Sequence, residues 1–550
     1  MHARQQGQPH VRAVVSAHSL ATDAGMAMLE KGGTAADAAV AVAAVLSVVE
    51  GWFSNVLGGG TWGLYFEAET AELTSLDGVG PVPVNADADR YAPIADRMGM
   101  HQAIVPGAWD GWMQWLDRYG RLDLGTVLAP AIRIAREGFP AGSVMVFWIK
   151  RLEEDVRANE GAARIYLPGG SVPEVGDVLT NPELADTLEA LANAYATSTG
   201  ITRSDAIQAA RDYFYRGPLA EAIVAYSNEQ GGFLSVDDFS GYASQFAEPI
   251  SIAYSDELTV YQCPPNSQGI TMLLALNILK GIDFSGLNIE DPNVIHAQVE
   301  AVKLAFADRF AWVGDPERVA IPVAELLSDD YAAAQRARID PQRAMAWPIE
   351  SGLPSGQSNT STFHIVDSEG NVAGATTSVG AQFLLVGKTG IHMNARMSFL
   401  SLDPQDPNYL SPGYRVRHTS CPYMVFRNGR PWITGANTGV DSQPQVQVQQ
   451  FISMVDFGLP PQRAINRPRF VSTSFPASTY PFEVLDTLQL EDGFTPEAID
   501  SLKARGHVIG SEAIVGTAAI IEIAEDGQDA LLGWETRIET SSGVKRMPGA

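Results

Sequence analysis

The segment from Ala35 to Glu50, AADAAVAVAAVLSVVE, constrains the fold more than any other part of the chain. As a helix it presents apolar side chains on nearly every side, so it must lie inside a large core. Thr34 is a suitable N-cap, and Gly32 and Gly33 end the helix that precedes it. The apolar run is about a dozen residues long, whereas a membrane span needs roughly 20. The segment therefore predicts a buried helix in a globular protein.

The rest of the chain mixes helices with short strands. Helical spacing recurs through the middle of the sequence and again near residue 450. The 550 residues exceed what one core normally organises, so we expect two or more domains or one large unit of helices layered against sheets. Gly58, Gly59 and Gly60 predict either a tight turn into a buried strand or backbone amides that line a site. No GK[ST] follows to support a phosphate loop.

The charge balance narrows the choice of partner. Lysine and arginine total 37 and aspartate and glutamate total 64, which gives a formal net charge of −27. Such a chain repels nucleic acid and anionic membranes, so a small-molecule or peptide partner is expected. Cys263 and Cys421 form no disulfide framework and no zinc-type spacing. The polar N-terminus lacks the apolar region of a signal peptide, so a cytoplasmic protein is expected.

The stretch from Ser358 to Ser378, SNTSTFHIVDSEGNVAGATTS, predicts two short strands joined by a tight turn. Hydroxyl groups crowd its beginning, at Thr360, Ser361 and Thr362. One explanation is structural, because such side chains satisfy backbone groups and favour β conformation. The other is self-cleavage: a hydroxyl attacks the preceding carbonyl, and the freed α-amine becomes the base for that hydroxyl. Composition leaves both explanations open.

No other nucleophile pattern competes with this one. The chain contains no GxSxG, no HExxH and no paired-cysteine metal motif. His364 shares a strand face with Thr362, which is only weak support for a dyad. The segment before the hydroxyls, about residues 329–359, ends in Pro, Gly, Ser and Asn. That composition predicts an exposed, flexible connection into the Thr360 strand.

Segments in order along nearly the whole chain resemble those of the γ-glutamyltranspeptidase family. Besides the hydroxyl stretch, they are ATDAGMAMLEKGGTAADAAVAVAAVLSVVEGWFSNVLGGG, IVPGAWDGWMQWLDRYGRLDLGTVLAPAIRIAREGFP, FYRGPLAEAIV, GGFLSVDDFSGYASQFAEPIS, PPNSQGITML and AVKLAFADRFAWVGDP. The resemblance implies an α+β fold, a four-layer αββα sandwich of the N-terminal-nucleophile hydrolase type. It also implies cleavage between Asn359 and Thr360 into a large subunit, 1–359, and a small subunit, 360–550. The two would stay together as one αββα unit.

The resemblance also assigns catalytic roles. The family's nucleophile lies seven residues before the Asp that opens the hairpin turn, and counting back from Asp367 gives Thr360. The helper hydroxyl on the second strand falls at Ser378, where the family usually has Thr. The two residues whose backbone amides bind the oxyanion fall at Thr438 and Gly439, within GANTGVD, where the family has two glycines.

The substrate-binding positions depart most from the family pattern. The family's LDGRETAP is LDGVGPVP here, so the arginine that holds the substrate carboxylate falls at Val79, which cannot replace a bidentate cation. The acidic residue that meets the substrate amine falls at Phe399. At the remaining substrate-binding positions, this chain has Gly380 where the family has Asn and Arg396 where the family has Gln. It has His418 and Thr419 where the family has two serines. Candidates for binding another acid, or the same acid in another orientation, are Arg396, Arg415, Arg417 and His418, each of which also fits an ordinary structural charge.

The resemblance implies an autoprocessed amide hydrolase or acyltransferase that needs neither a metal nor an organic cofactor. Its expected partner is a small-molecule amide or γ-glutamyl-type substrate, bound in a pocket altered from the usual γ-glutamyl clamp. One alternative is a true γ-glutamyl (glutathione) hydrolase or transpeptidase. Another, from a different class, is a catalytically silent homologue that stays a single chain and only binds a ligand.

Overall fold

The computed structural model describes residues 10–198, 202–349, 360–380, 382–510, 516–537 and 543–547. Its α-helices are α1 (Ser19–Glu30), α2 (Ala35–Val49), α3 (Ala88–Tyr91), α4 (Ala108–Tyr119), α5 (Leu124–Glu137), α6 (Ser143–Arg151), α7 (Glu153–Ala158), α8 (Glu160–Tyr166), α9 (Pro182–Ala196), α10 (Arg203–Tyr215), α11 (Pro218–Glu229), α12 (Val236–Ser240), α13 (Gly269–Leu279), α14 (Pro292–Trp312), α15 (Val323–Leu326), α16 (Asp329–Arg336), α17 (Ser442–Val455), α18 (Pro461–Asn466) and α19 (Pro496–Ala504). Its strands are β1 (Arg12–Ser16), β2 (Gly60–Glu67), β3 (Glu72–Gly78), β4 (Phe139–Pro140), β5 (Val178–Leu179), β6 (Gln245–Ala247), β7 (Ile250–Ala253), β8 (Leu258–Gln262), β9 (Ser361–Val366), β10 (Val372–Ser378), β11 (Tyr423–Arg427), β12 (Arg430–Asn437), β13 (Phe470–Ser472), β14 (Leu488–Leu490), β15 (Ile509–Gly510), β16 (Ala518–Ile523), β17 (Ala530–Trp534) and β18 (Gly543–Met547). Short 3₁₀ helices cover Ala92–Ile94, Met100–Gln102, Pro168–Gly170 and Arg396–Phe399.

Two antiparallel sheets form the centre of the molecule. One has seven strands in the order β18-β1-β9-β10-β2-β3-β6, and the other has six in the order β17-β16-β12-β11-β8-β7. The sheets pack face to face, with β12 and β16 of the second sheet against β9 and β10 of the first. Their facing side chains form an apolar layer that includes Leu64, Met424 and Ile521. Packing of this kind buries one face of each sheet.

Helices cover the two outer faces. Helices α1, α2, α4 and α5 share one apolar core with the inner strands of the first sheet, and α13, α14 and α17 share another with the second sheet. The order of layers is therefore helix, sheet, sheet, helix. This confirms the α+β, four-layer αββα sandwich that the family resemblance implied.

The apolar helix predicted from Ala35 onward is α2, and every one of its 15 residues is buried. Its first turn is closed by a reciprocal cap, in which Thr34 N–H donates to Asp37 Oδ2 at 2.8 Å and Asp37 N–H donates to Thr34 Oγ1. Helix α2 lies between α1 and α5 on one side and strands β9 and β10 on the other. The helix therefore supports the two strands that carry the hydroxyl stretch.

Each of the two sheets contains strands from both sides of residue 360. The seven-stranded sheet takes β1, β2, β3 and β6 from before residue 360 and β9, β10 and β18 from after it. The six-stranded sheet combines β7 and β8 with β11, β12, β16 and β17. Two subunits divided at residue 360 would therefore share both sheets, although the division itself stays a prediction.

The segment that the sequence predicted to be exposed and flexible begins with a regular helix. Helix α16, Asp329–Arg336, packs on α14, and Tyr331 Oη donates to Asp308 Oδ1 at 2.7 Å. Further along, Ile349 is buried. The last part of this segment, 350–359, lies outside the described residues, and with it lies the predicted cleavage residue Asn359.

Candidate active site

The hydroxyl stretch forms the predicted pair of strands. Strands β9 and β10 are antiparallel neighbours in the interior of the seven-stranded sheet. Asp367 opens the turn between them: its N–H donates to the Asn371 carbonyl and its carbonyl accepts from Gly370 N–H. Gly370 has φ +85°, a conformation that glycine adopts without strain. The turn therefore holds the two strands in one register.

Thr360 lies immediately before β9, and its side chain meets the end of β10. Its Oγ1 donates to Ser378 Oγ at 3.3 Å. Both residues are buried, with Thr360 2% exposed and Ser378 fully enclosed. Ser378 is also paired with Gly60, the first residue of β2. The structure thus brings together the predicted nucleophile and helper hydroxyl across neighbouring strands.

The other hydroxyls of the stretch have structural partners. Thr362 Oγ1 donates to the Ala375 carbonyl at 3.0 Å and lies 3.4 Å from His364 Nε2. The other ring nitrogen of His364 meets Thr434 Oγ1 on the opposite sheet at 2.8 Å. Burial lowers the pKa of His364 to about 3, so the ring is neutral. Thr362 and His364 therefore connect the two sheets and do not form a catalytic dyad with Thr360.

Glu50 is a buried carboxyl group beside the site to which sequence reasoning assigned no role. It follows α2, and its Oε2 accepts a hydrogen bond of 2.8 Å from Ser361 Oγ, next to Thr360. Burial raises the pKa of Glu50 to about 7, and the Ser361 hydrogen bond opposes that rise. The sequence signal was a lone Glu at the end of an otherwise apolar helix. A carboxyl group with this pKa exchanges its proton near neutral pH.

The three glycines allow close packing of the backbone beside β10. A Cβ on Gly58 would overlap the His392 carbonyl, and one on Gly59 would lie 2.6 Å from the Asn55 carbonyl oxygen. Gly59 N–H itself donates to that Asn55 carbonyl. Gly60 begins β2 and is paired with Ser378. The arrangement matches the first of the two sequence interpretations, a tight turn into a buried strand.

The predicted oxyanion residues follow β12, which packs against β9 and β10. Gly439 has φ +110°, whereas Thr438 is not among the described residues with positive φ, so its backbone does not require glycine. Thr438 N–H donates to the Thr517 carbonyl at 2.8 Å, and Thr517 N–H donates back to Thr438 Oγ1 at 2.7 Å. The Thr438 amide is therefore already paired. Its oxyanion role stays a prediction, and it requires this pairing with Thr517 to open.

Two predicted substrate positions, Val79 and His418, lie beside Gly60. A Cβ built on Gly60 would be 3.6 Å from Val79 Cγ2 and 3.4 Å from His418 Nε2. Because Gly60 is the strand partner of Ser378, both side chains border the Thr360 hydroxyl pair. Thr419 is buried, and its carbonyl accepts from Gln268 Nε2.

Arg396 and Phe399 occupy one 3₁₀ helix next to the end of β10. The link is a hydrogen bond of 2.9 Å from Ala395 N–H to the Val379 carbonyl, one residue before Gly380. Gly380 has φ +105°, so a glycine suits this position. The Arg396 guanidinium lies over the Phe399 ring, 4.7 Å from its centroid. The position of the family's acidic residue is therefore taken by a ring that faces a cation.

The other two candidate arginines are engaged elsewhere. Arg415 forms ion pairs with Asp77, Asp315 and Glu317, and these carboxylates raise its pKa against the effect of burial. Arg417 donates to the Val313 carbonyl and stacks on Phe310. Both residues act as structural charges in this fold.

One group of metal-ligating side chains occurs in the described residues, formed by His296, Glu300 and His507. His296 Nδ1 and His507 Nε2 share a hydrogen bond of 2.8 Å, and Lys303 Nζ lies 2.9 Å from Glu300 Oε1. The nearby ammonium group opposes binding of a cation. This cluster connects α14 to the segment that follows α19, and it contributes no residue to the Thr360 site.

Comparison with known proteins assigns the family. The Gamma-glutamyltranspeptidase family model matches residues 21–541. The chain belongs to the γ-glutamyltranspeptidase family. It is 36% identical over 524 residues to the Glutathione hydrolase-like YwrD proenzyme of Bacillus subtilis, covering 94% of this chain and 95% of that protein. It is 30% identical to the Oxamate amidohydrolase proenzyme of Klebsiella pneumoniae, covering 92% and 94% of the two chains.

A solved structure agrees with this membership. The crystal structure of cephalosporin acylase from Bacillus halodurans superposes with a TM-score of 0.85 and 30% identity, covering 99% of this chain and 97% of that one. The chain accordingly belongs to a family of hydrolytic enzymes that act on amide bonds. In the described parts of this γ-glutamyltranspeptidase-family chain, no helix is both long and apolar enough to cross a membrane.

Proposed function

We propose that this protein cleaves itself before Thr360 and then hydrolyses small-molecule amides with Thr360 as the nucleophile. The hydrogen bond of 3.3 Å between Thr360 Oγ1 and Ser378 Oγ carries the proposal. It supports a hydroxyl nucleophile because it fixes one hydroxyl rotamer at the start of an interior strand. The names of two relatives include the word proenzyme, which fits a self-cleaving precursor.

Self-cleavage would begin with attack of Thr360 Oγ1 on the carbonyl carbon of the preceding residue. The peptide C–N bond breaks as the ester C–O bond forms, and the hydroxyl proton ends on the Thr360 nitrogen. Water then hydrolyses the ester and leaves a free α-amine on Thr360 and a new carboxylate on the large subunit. Before the attack, Ser378 Oγ accepts a hydrogen bond from the Thr360 hydroxyl and so orients the nucleophile.

Substrate hydrolysis repeats this chemistry with the free amine as the base. The amine takes the Thr360 hydroxyl proton and passes it to the leaving nitrogen, and the acyl group moves to Oγ1. Water, or an acceptor amine in the transferase reaction, releases the acyl group. The oxyanion formed in each step would be held by backbone N–H donors, for which Gly439 and, once unpaired from Thr517, Thr438 are the candidates.

A denaturing gel tests the proposal directly. The purified chain should separate into fragments of about 39 and about 20 kDa, which are 359/550 and 191/550 of 59.0 kDa. The smaller fragment should begin TSTFHIV on N-terminal sequencing. Gel filtration should keep the fragments in one peak, because both sheets contain strands from each side of residue 360.

The variants Thr360→Ala and Thr362→Ala form a matched pair on one strand. Thr360→Ala should remain a 59.0 kDa band on long incubation, whereas Thr362→Ala, which loses the hydroxyl contacts to the Ala375 carbonyl, His364 and Thr376, should still be cleaved. Persistence of a single band in the unmodified chain would instead support the catalytically silent homologue. Equal cleavage of both variants would assign the nucleophile to another residue.

A further inference from the structure

Arg396 is a buried cation that has no hydrogen-bond partner among the residues that the structure describes. Its side chain is 0% exposed, and none of its three guanidinium nitrogens meets an acceptor. Burying a charged group without a partner costs several kcal/mol, so proteins seldom keep one without a use. Burial lowers the pKa of Arg396 to about 9, which still leaves the guanidinium mostly charged at neutral pH. Arg396 therefore presents a charge and a set of N–H donors that nothing in the described protein satisfies.

His418 adds a second unsatisfied donor close to Arg396. Its Nδ1 accepts a hydrogen bond of 3.2 Å from Ser420 N–H, so the ring proton lies on Nε2. Nε2 has no partner in the described part of the chain and faces Gly60. Burial and the positive charge of Arg396 both lower the pKa of His418 well below its usual value, so the ring is a neutral donor. His418 Nε2 faces Gly60, the strand partner of Ser378, and Arg396 follows Ala395, whose N–H donates to the carbonyl of Val379, the residue after Ser378. The two unsatisfied donor groups therefore lie on segments that meet at the end of β10, and this electropositive region is called the recess below.

The same recess lacks an acid that would bind an amine. The acidic residue of the family pattern is replaced by Phe399, whose ring faces the Arg396 guanidinium. Among the described residues, no carboxylate forms an ion pair with Arg396, while Asp77, two residues before Val79, and Asp315 are paired with Arg415. A substrate ammonium group placed here would face a guanidinium with no counter-charge. The recess therefore favours an anion and disfavours a zwitterionic amino acid.

We propose that Arg396 and His418 bind a carboxylate on the acyl part of the substrate, and that this acyl group carries no α-ammonium. The substrate class is then the monoamides of dicarboxylic acids, such as glutaryl, succinyl or oxalyl amides. This inference rests on the proposed function, because it takes Thr360 as the acyl acceptor. The acyl group occupies the site in both half-reactions, since it is bonded to Thr360 in the first and released by water in the second, so a cation at the site contributes most when the carboxylate is on that part.

Substrate pairs that differ by one charged group provide the test. The p-nitroanilides of glutarate, butyrate and γ-glutamate share a leaving group and differ in the carboxylate and the ammonium. The unmodified enzyme should hydrolyse the glutaryl amide with a kcat/KM about 100-fold above the butyryl amide, as expected for a charge-assisted bidentate contact. The γ-glutamyl amide should fall below the glutaryl amide. A γ-glutamyl amide that is turned over best would overturn the proposal.

Variants at Arg396 separate recognition from catalysis. Arg396→Gln should lower kcat/KM for the glutaryl amide by about 100-fold and change that for the butyryl amide far less. Arg427→Gln is the matched control, because Arg427 also stacks on an aromatic ring, Trp432, at the far end of β11. The control should leave the ratio between the two substrates unchanged. Equal losses on both substrates in Arg396→Gln would show that Arg396 only supports the fold.

A binding measurement gives a readout that needs no turnover. Free glutarate should raise the melting temperature of the Thr360→Ala protein, and the shift should vanish in Thr360→Ala/Arg396→Met. The double variant should be at least as stable as Thr360→Ala in the absence of glutarate, since it removes an unpaired buried charge. Self-cleavage and butyryl turnover without a glutarate shift would refute the carboxylate site alone. A glutarate shift without self-cleavage or turnover would refute the proposed function and keep the site.

Discussion

Burial of Glu50 predicts how the folding stability depends on pH, in both direction and magnitude. The carboxyl group titrates near 4.5 in the unfolded chain and near 7 in the folded protein. Between these pH values the folded state keeps a proton that the unfolded state releases, so folding stability falls as pH rises through this window. The shift of about 2.5 units corresponds to about 3.4 kcal/mol, fully lost above pH 7. Glu50→Gln does not titrate and can still accept the Ser361 hydrogen bond, so it escapes this loss.

The assay compares melting temperatures of Thr360→Ala and Thr360→Ala/Glu50→Gln, both kept as single chains, from pH 4.5 to pH 8. Unfolding entropy of about 2.1 cal/mol/K per residue over 550 residues converts about 3.4 kcal/mol into a shift of about 3 °C. The Gln variant should gain this advantage as the pH rises. Glu69→Gln, at a solvent-exposed site, is the control and should show no such trend. If the difference in melting temperature between the two proteins stays constant with pH, Glu50 does not titrate in this range and the burial argument is refuted.

Two further changes test the site and its support. Ser378→Ala should slow self-cleavage about tenfold, which is the equivalent of one hydrogen bond. Ser378→Thr keeps the hydroxyl and should be cleaved at close to the unmodified rate. The half-time of the 59.0 kDa band on a denaturing gel measures both rates. A Ser378→Ala rate equal to the original would remove Ser378 from the mechanism. Gly58→Ala should lower the melting temperature by several degrees because its Cβ overlaps the His392 carbonyl, whereas Gly142→Ala, with open space around it, should change it little. Similar melting temperatures for these two would contradict the close-packing role of Gly58.

Local pattern was enough to predict the parts of the fold that lie close together in the chain. The β9–β10 hairpin follows from alternation and a turn sequence, and α2 follows from an apolar run with a Thr34 cap. Thr360 and Ser378 are 18 residues apart and meet because the hairpin turn sets their register. Local pattern did not single out one hydroxyl of this stretch; the family resemblance, through its spacing from Asp367, predicted Thr360 as the nucleophile. The regular helix α16 was missed because the Pro and Gly residues that end its segment dominated the composition.

Contacts between distant segments could not be predicted in this way. Glu50 reaches Ser361 across 311 residues, and only the packing of α2 on the sheet brings them together. The pairing of Thr438 with Thr517 depends on β16 being the neighbour of β12, which no local pattern specifies. The four cationic candidates looked equivalent in the sequence. They differ only in what surrounds them, because carboxylates neutralise Arg415 and no carboxylate among the described residues neutralises Arg396.

The contrast between contacts within one hairpin and contacts between distant segments suggests how the same fold can keep its proposed chemistry while its substrate changes. The proposed nucleophile Thr360 and its partner Ser378 are brought together by strand register within one hairpin, so we expect substitutions in the recognition segments to leave them in place. Recognition depends on side chains from separate segments, namely Val79 after β3, Arg396 and Phe399 in a 3₁₀ helix, and His418 before β11. In the proposed carboxylate site, Phe399 at the position of the family's acid and a cation at Arg396 would reverse the charge that the recess prefers without moving Thr360. Selection for a different substrate can therefore change these side chains without affecting the proposed self-cleavage.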